Sequence, residues 1–514
     1  MAELNLQEIE KKLNTEFENG QRLVFWYDAD GSFSDMVDQL KLGAVEILHL
    51  TERNAFRIKL LIEHENPEGQ YLIYAPFEKP PVSKNHLEDT LLYSKAFYAD
   101  KLSLIAADIG LPSRLRSSLE SLKVFFAVGK GKMKAAEKKA GIRRANAFIE
   151  RAKEMDLSSV DQEMIPVIAM CVVAKARNTT VDGLFYAVLS YGDIREQRII
   201  TEFSQNGLTD VFWNLCESRF GYTEAKPSLL KFVITLFAVY TCKDYLTAAP
   251  SQWKLFMQER MKRKVSNISI MLENMMNNMM HRDCFDTISQ VASQELDAAA
   301  IIQSLPLESI LHTASFALID HTLMQWIIER ELAEDCNASI SGCSIPDICE
   351  ERLRLHFGTM FSAEYEALLA GFRLLKAAHY VPAASLSDLI QNYCKEDYKI
   401  DTEYRRFISA LERIEDKEPF EQLAELLQNV YITDYLEKIV YQWNVAYEEN
   451  AFRQVIAEQK NFYQEKVAPM REKVVVIVSD GLRYEAAKEL ERMLREDENS
   501  EVSMPAMMTS LTLQ

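Results

Sequence analysis

Apolar side chains recur with the 3.6-residue spacing of an α-helix from about residue 105 to residue 465. The pattern is broken at isolated prolines such as Pro250, Pro306 and Pro382. Only 16 Gly and 14 Pro occur in 514 residues, which is about half the usual share. We therefore predict a large helical region over residues 105–465, in one or two subdomains. So few chain-breaking residues exclude a β-sandwich, a β-propeller and a disordered chain.

The first hundred residues have a different pattern, in which three apolar runs alternate with helical stretches. The runs are RLVFWYDADG, VEILHL and QYLIYAP. Short connections between such strands favour a parallel sheet with helices on its faces. We therefore predict a small α/β domain of the Rossmann-like or flavodoxin-like type over residues 1–104.

Acidic side chains follow the first two of these strands. Ligands of parallel sheets bind beyond the carboxyl ends of the strands, where Asp28, Asp30 and Glu52 would lie. These carboxylates predict either a metal or phosphate site, or a turn in which Asp28 and Asp30 cap the next helix. The third strand ends in Ala75 and Pro76 and supplies no further acid, so we favour the turn.

The chain is acidic, with 58 Lys+Arg against 77 Asp+Glu and a net charge of −19. This charge disfavours broad, nonspecific wrapping of DNA. One segment, from Lys130 to Lys153, is nevertheless strongly basic. Its residues predict either a solvated helix face or a surface that binds nucleic acid or an acidic partner. The candidate nucleic-acid-binding residues are Lys130, Lys132, Lys134, Lys138, Lys139, Arg143 and Arg144.

The cellular compartment follows from what the chain lacks in sequence. No stretch has the roughly 18–20 consecutive apolar residues of a membrane helix. The start, MAELNLQEIEKKLN, has the pattern of an acidic amphipathic helix and not of a signal peptide. The eight cysteines are too sparse for a disulfide framework. We expect a cytoplasmic protein with reduced thiols and no membrane partner.

The most informative stretch is KVVVIVSDGLRYE, from Lys473 to Glu485. Five apolar residues, Val474 to Val478, predict a strand buried on both faces, and Ser479-Asp480-Gly481 predicts a turn into an amphipathic helix. Asp480 would then lie at the carboxyl end of a central strand, where it either binds a divalent cation or caps the helix. Arg483 and Glu485 would reach the same crevice or pair on the helix surface.

A hydroxyl-rich segment follows that helix. We predict a second strand from Glu501 to Met504 and, after it, a turn that carries Thr509, Ser510 and Thr512. A hydroxyl at the start of a helix can be activated by a nearby metal and by the helix dipole. A strand that ends in an acid, followed by a strand that ends in a hydroxyl-bearing turn, predicts the first part of a metal-assisted phosphoryl-transfer site.

These residues resemble a known family. The stretch from Lys473 to Glu485, with Gln459, Phe462-Tyr463 and Val467 before it, closely resembles the PglZ proteins of bacterial BREX phage-defence systems, whose typical motif is V-I-V/I-S-D-A-L-R-Y-E. The stretch WYDADGSF, from Trp26 to Phe33, resembles the start of the same family. Gly481 replaces the commoner Ala, and we expect no functional consequence.

The resemblance implies membership of the alkaline phosphatase superfamily and hydrolysis of a phosphate monoester or diester. It implies two divalent metal ions, usually zinc, with Asp480 as a metal ligand and Thr512 as the metal-bound catalytic nucleophile; Thr509 and Ser510 are alternatives to Thr512. Residues 466–514 would begin the alkaline-phosphatase-like domain. The implied partners are other BREX proteins, including the methyltransferase, with DNA as a further candidate.

The superfamily completes its metal centre with Asp and His residues downstream of the nucleophile, and no histidine follows Asp480 in this sequence. We therefore expect this chain to be a truncated portion of a phosphoesterase that is inert by itself and binds no metal at its incomplete site. The alternative is a non-catalytic scaffold that binds other defence components or DNA.

Overall fold

The computed structural model describes residues 2–29, 31, 33–34, 36–99, 101–127, 135–446, 457–496, 501–502, 504 and 507–508. The described residues are mostly helical, as the periodicity predicts. The chain divides into two compact units. The first unit comprises Met1–Tyr240 and Ser251–Ile288, and the second comprises Thr241–Pro250 and Ser289–Gln514.

The first unit contains a four-stranded parallel sheet in the order β2-β3-β1-β4. Its strands are β1 (Leu23–Tyr27), β2 (Glu46–His49), β3 (Tyr71–Ala75) and β4 (Lys95–Phe97). The three predicted strands and their parallel arrangement are thus confirmed. The strand order is neither the Rossmann nor the flavodoxin order, however, because β1 lies between β3 and β4. The short strand β4 was not predicted.

Both faces of this sheet are covered, which explains why β1 and β3 consist almost entirely of apolar residues. On one face Val24 and Trp26 pack with Leu13 and Phe17 of the first helix. On the other face Phe25 packs in a separate apolar cluster. In chain order, the helices of this unit are α1 (Ala2–Glu18), α2 (Ala55–Leu60), α3 (Glu88–Leu91), α4 (Lys101–Asp108), α5 (Arg116–Glu120), α6 (Ala135–Lys153), α7 (Met164–Val173), α8 (Val181–Leu189), α9 (Arg198–Gln205), α10 (Thr209–Phe220), α11 (Leu229–Thr241), α12 (Ser251–Lys254), α13 (Glu259–Lys262), α14 (Val265–Asn277) and α15 (Arg282–Glu295), the last of which continues into the second unit.

The second unit is built from helices around an apolar core. One of them, α18, begins at a capping box in which Ser344 and Asp347 satisfy each other's backbone N–H groups. Its helices are α16 (Ala298–Ile302), α17 (Ala317–Leu332), α18 (Ile345–Arg352), α19 (His356–Met360), α20 (Ser362–Ala377), α21 (Leu386–Asn392), α22 (Tyr398–Arg413), α23 (Glu421–Asn429), α24 (Glu437–Ala446) and α25 (Tyr484–Arg495).

This unit also has two pairs of two-residue strands. The strands β5 (Ser339–Ile340) and β6 (Cys343–Ser344) form an antiparallel hairpin, and β7 (Ala457–Glu458) pairs in parallel with β8 (Met507–Met508). Described residues of the predicted strand from Glu501 to Met504 have no strand structure, so that prediction was wrong.

The predicted buried strand Val474–Val478 was also wrong. These residues have no regular secondary structure, and Ile477 and Val478 are each 87% exposed. An apolar run forms a strand only where neighbouring strands pair with it, and the described residues place none beside this one.

The bounds 1–104, 105–465 and 466–514 remain predictions, because the two units do not divide the chain at those residues. No helix among the described residues is long and apolar enough to cross a membrane. All eight cysteines have free thiols in this structure.

Candidate functional site

The predicted turn and helix of the SDGLRYE motif are present. Asp480 and Gly481 form an exposed turn, and α25 begins three residues after Gly481. Gly481 has a φ of 69°, in the left-handed region that glycine adopts without strain. Asp480 therefore lies at a solvent-exposed bend directly before an amphipathic helix.

Tyr484, the first residue of α25, contacts a π-helical turn formed by Tyr393–Asp397. Its hydroxyl donates a hydrogen bond to the carbonyl oxygen of Cys394 at 3.2 Å. Its ring centroid lies 5.7 Å from that of Tyr393 and 5.6 Å from that of Tyr398. Burial raises the pKa of the Tyr484 phenol, so the group stays a neutral donor at physiological pH.

Glu485 is buried, with 6% of its surface exposed. Its Oε1 accepts a hydrogen bond from Nε of Arg405 on α22 at 2.5 Å. The sequence predicts for Glu485 either a crevice shared with Asp480 or a pair on the surface of its own helix. The structure instead gives it an ion pair with a different helix, 80 positions earlier in the chain.

A second buried carboxylate, Asp401 on α22, binds Tyr393, whose ring lies beside that of Tyr484. Asp401 is 8% exposed and accepts hydrogen bonds from the hydroxyls of Tyr393 and Tyr431, each at 2.7 Å. The ring of Tyr431 stacks on that of Tyr404, with 3.8 Å between centroids. Burial and the hydrogen bond to Asp401 raise the pKa of Tyr393 and of Tyr431. These phenols therefore remain protonated and keep the Asp401 carboxylate satisfied.

A groove of about 640 Å³ lies between α20, α22 and the motif. Guanidinium and carboxylate groups line its walls, and most of them pair, as Arg406 does with Glu403 at 2.9 Å and Arg413 does with Glu366. Its charged lining consists of Arg373, Arg405, Arg406, Arg413, Arg483, Glu366, Glu403, Glu485 and Glu489. The balance of charge is close to neutral, so the groove has no strong preference for either sign.

The predicted metal ligands are only partly described. Asp480 is exposed at its turn, whereas Thr512 and its alternatives Thr509 and Ser510 lie outside the described residues. Among the described residues, no three His, Cys, Asp or Glu side chains are grouped so as to hold a metal ion. On their own, therefore, these residues do not fit a two-metal centre.

The acidic turn of the first unit has a structural role. The Asp28 carboxylate accepts hydrogen bonds from the backbone N–H of Phe33 at 2.8 Å and from the Tyr74 hydroxyl at 2.5 Å. Its carbonyl oxygen accepts the N–H of Gly31, which closes the turn. These contacts support the turn interpretation for Asp28. Asp30 lies outside the described residues, and Glu52 is exposed.

The basic segment is only partly available for a ligand. Lys139 and Arg143 on α6 are exposed. Arg144 is half-buried, because its Nε donates to the carbonyl oxygen of Phe125 at 3.0 Å and its guanidinium lies over the Phe125 ring. This burial lowers the pKa of Arg144. Arg151 and Lys153 are also engaged, with Thr179 and Asp108 respectively among their partners. Outside the described residues lie Lys130, Lys132, Lys134 and the side chain of Lys138.

Sequence reasoning did not identify Arg405, Asp401 or Tyr393. Each lies on a helix that reads as ordinary amphipathic structure, and periodicity carries no information about a contact with a motif 80 or more residues away. The only available signal is the unusual density of tyrosines between residues 393 and 435.

Both the motif and most of the chain are similar to known proteins. The family model for the BREX system PglZ alkaline phosphatase-like domain matches residues 462–513. An alkaline phosphatase-like protein PglZ of Bacillus cereus (strain H3081.97) is 26% identical over 523 aligned positions, covering 98% of this chain and 58% of the relative. An alkaline phosphatase-like protein BrxZ of Escherichia coli O9:H4 (strain HS) is 27% identical over 504 aligned positions, which cover 91% of this chain and 55% of the relative. The chain thus spans somewhat more than half the length of these relatives. No solved structure matches it significantly.

Proposed function

Since this chain belongs to the PglZ family of BREX alkaline phosphatase-like proteins, we propose that it forms part of a metal-dependent phosphoesterase of a phage-defence system. Its helical region, residues 105–465, binds partners, and its SDGLRYE motif contributes to the active site. The observation that carries the proposal is the exposed turn at Asp480, which lies within the residues matched by the family model.

Asp480 has the chemistry that this role requires. Its carboxylate is exposed, so binding a cation would not require breaking an internal ion pair, and a carboxylate oxygen is a suitable ligand for zinc or another divalent cation. Bound metal ions would supply Lewis acidity and an activated nucleophile. The Thr512 hydroxyl, with Thr509 and Ser510 as alternatives, is proposed as that nucleophile by family resemblance.

The 514-residue chain alone is proposed to be inert. The family resemblance calls for several Asp and His ligands, whereas the last histidine in this sequence is His379 and the described residues contain no group of three metal-binding side chains. Other BREX components, including the methyltransferase, are the proposed partners of the helical region.

The decisive experiment measures zinc-dependent hydrolysis of a generic phosphodiester and a generic phosphomonoester. It uses the 514-residue chain and the complete product of its gene, each as wild type, Asp480→Ala and Thr512→Ala. We expect activity in the complete product only, lost in both variants. Because Asp480 is exposed, Asp480→Ala should leave the melting temperature unchanged, so that lost activity reports chemistry and not unfolding. A metal-loaded complete product without activity would contradict the proposal.

The second candidate function is a non-catalytic scaffold that binds defence components or DNA. The exposed cations Lys139 and Arg143 on α6 favour a DNA contact, because the rest of the chain is strongly acidic. A complete gene product that binds DNA through these residues, but hydrolyses neither ester, would favour the scaffold.

A further inference from the structure

We infer that the last two residues of the motif, Tyr484 and Glu485, form an anchor that fastens the Asp480 turn to the helical region, with Arg405 as its positioning residue. The inference rests on the proposed function only for the reason why Asp480 has to be held in place. The anchor itself consists of contacts within the second unit. It assigns the Tyr-Glu half of the motif to holding the turn and leaves the chemistry to the Ser-Asp half.

The turn needs such an anchor because the segment before it is held weakly. Residues 473–479 have no regular secondary structure and are exposed, with Val475 83% and Ile477 87% accessible to solvent. Asp480 and Gly481 are exposed as well. Among the described residues, the firm constraint on the position of Asp480 therefore comes from its carboxyl-terminal side.

The ion pair between Glu485 and Arg405 provides one half of that constraint. A carboxylate with 6% of its surface exposed loses most of its hydration, and an opposite charge beside it offsets that cost. Arg405 supplies this charge at 2.5 Å, while its own side chain is 41% exposed. The arginine thus reaches from the surface of α22 to the buried Glu485, and the pair fixes α25 relative to α22.

Tyr484 provides the other half. Its hydroxyl is bound at the Cys394 carbonyl, and its ring lies beside that of Tyr393. Tyr393 is itself fixed by its hydrogen bond to Asp401, which also binds Tyr431. The surface that receives Tyr484 is therefore held together by hydrogen bonds within one cluster, since the Asp401 carboxylate accepts from both Tyr393 and Tyr431.

The chain length transmits this constraint to the turn. Asp480 precedes Tyr484 by four residues, which span at most about 14 Å when fully extended. Gly481 lies within that stretch with its φ of 69°. Detaching α25 from α22 would therefore release Asp480 into a much larger volume, and any ligand set that includes it would be harder to assemble.

The test uses hydrogen exchange, which needs no metal, substrate or activity. The amides of α25 are compared in the 514-residue chain as wild type, Arg405→Glu, Glu485→Arg and the double swap Arg405→Glu with Glu485→Arg. Arg413→Glu is the matched control, since Arg413 lies on the same helix and pairs with the exposed Glu366. The melting temperature of each protein is measured in parallel.

We expect each single reversal at the anchor to speed exchange in α25 at least about ten-fold, with exchange in α17 and α20 unchanged. The double swap should restore protection, and Arg413→Glu should have no effect on α25. Equal exchange in all variants, or faster exchange throughout the second unit, would overturn the inference. If the anchor behaves as expected but the complete gene product hydrolyses neither ester, the proposed function fails and the anchor stands.

Discussion

Arg352 and Asp320 form a two-point ion pair in the second unit, and neither side chain is exposed to solvent. Nε of Arg352 donates to Oδ1 of Asp320 at 2.8 Å, and Nη2 donates to Oδ2 at 2.6 Å. The Tyr365 hydroxyl also donates to Asp320, and Nη1 of Arg352 donates to the Thr313 carbonyl. The pair joins α17 to α18 and α20, and its charges are tolerated in the core because hydrogen bonds surround them.

Removing one member of this pair should strongly destabilise the protein. Asp320→Ala leaves the Arg352 guanidinium buried without its counter-charge, so we expect the free energy of unfolding to fall by about 3–5 kcal/mol. Urea denaturation measures this change. Glu366→Ala, which breaks the exposed pair with Arg413, is the control and should cost under about 1 kcal/mol. A similarly small loss for Asp320→Ala would show that the pair is not essential to the core.

Glu331 on α17 should make stability depend on pH. It is 1% exposed, and neither carboxylate oxygen has a hydrogen-bond partner among the described residues. Burial raises the pKa of this carboxyl well above its ordinary value of 4.5, so the folded protein keeps the proton that the unfolded chain releases. Stability should therefore decline as the pH rises above about 4.5 towards the folded-state pKa.

Glu331→Gln removes this titration and should be increasingly more stable than the wild type from pH 5 to pH 8. Urea midpoints at four pH values measure the difference. Glu329→Gln, at an exposed position of the same helix, should show a difference that does not change with pH. Parallel pH profiles for the wild type and Glu331→Gln would mean that Glu331 is ionised in the folded state.

Local pattern was sufficient for the sheet and insufficient for the contacts between distant residues. The runs that form β1 and β3 are apolar at nearly every position, which only a strand covered on both faces explains. The same argument failed for Val474–Val478, because a run of valines records a tendency to pair and does not supply the neighbouring strand. Strand β4 was missed because Lys95–Phe97 is too short to show a period.

Charged residues were the least predictable part of the candidate site. Arg143 and Arg144 are adjacent in sequence, yet the first is exposed and the second packs on Phe125. Whether a charge faces solvent, a ligand or a buried partner depends on helix packing, which the sequence does not specify. The same limit hid the pairing of Glu485 with Arg405, whereas the turn at Asp480 followed from local residue preferences alone.

The two exposed cations of α6, Lys139 and Arg143, allow a direct test of DNA binding. Lys139→Glu with Arg143→Glu should weaken binding of the 514-residue chain to duplex DNA and reduce the slope of log affinity against log salt by about 2 units, since each phosphate contact contributes about 0.9. Fluorescence anisotropy between about 50 and 200 mM salt, a range over which binding to phosphates falls steeply, measures both. Lys11→Glu with Lys12→Glu makes the same change in charge on α1, at two exposed positions, and should have little effect. Equal loss in the two double variants would leave only nonspecific charge attraction.

Two glycines, Gly221 and Gly481, both have left-handed backbone but differ in the space around them. Gly221 follows α10 with a φ of 74°, and a Cβ there would lie 2.5 Å from the carbonyl oxygen of Arg260. Gly481 has a φ of 69°, but an added Cβ meets no described atom within 4 Å. Alanine at either position meets the left-handed penalty of about 1–2 kcal/mol, and only Gly221→Ala must also displace backbone.

We therefore expect Gly221→Ala to lower the melting temperature clearly and Gly481→Ala to leave it almost unchanged, because the exposed turn can relax without disturbing the core. Differential scanning calorimetry measures both variants, and Gly192→Ala, with positive φ and open space, provides a second reference. A large loss of stability in Gly481→Ala would show that the Asp480 turn is rigidly coupled to the helical unit through Gly481 itself. The position of Asp480 would then depend on the backbone of the turn as much as on the contacts of Tyr484 and Glu485.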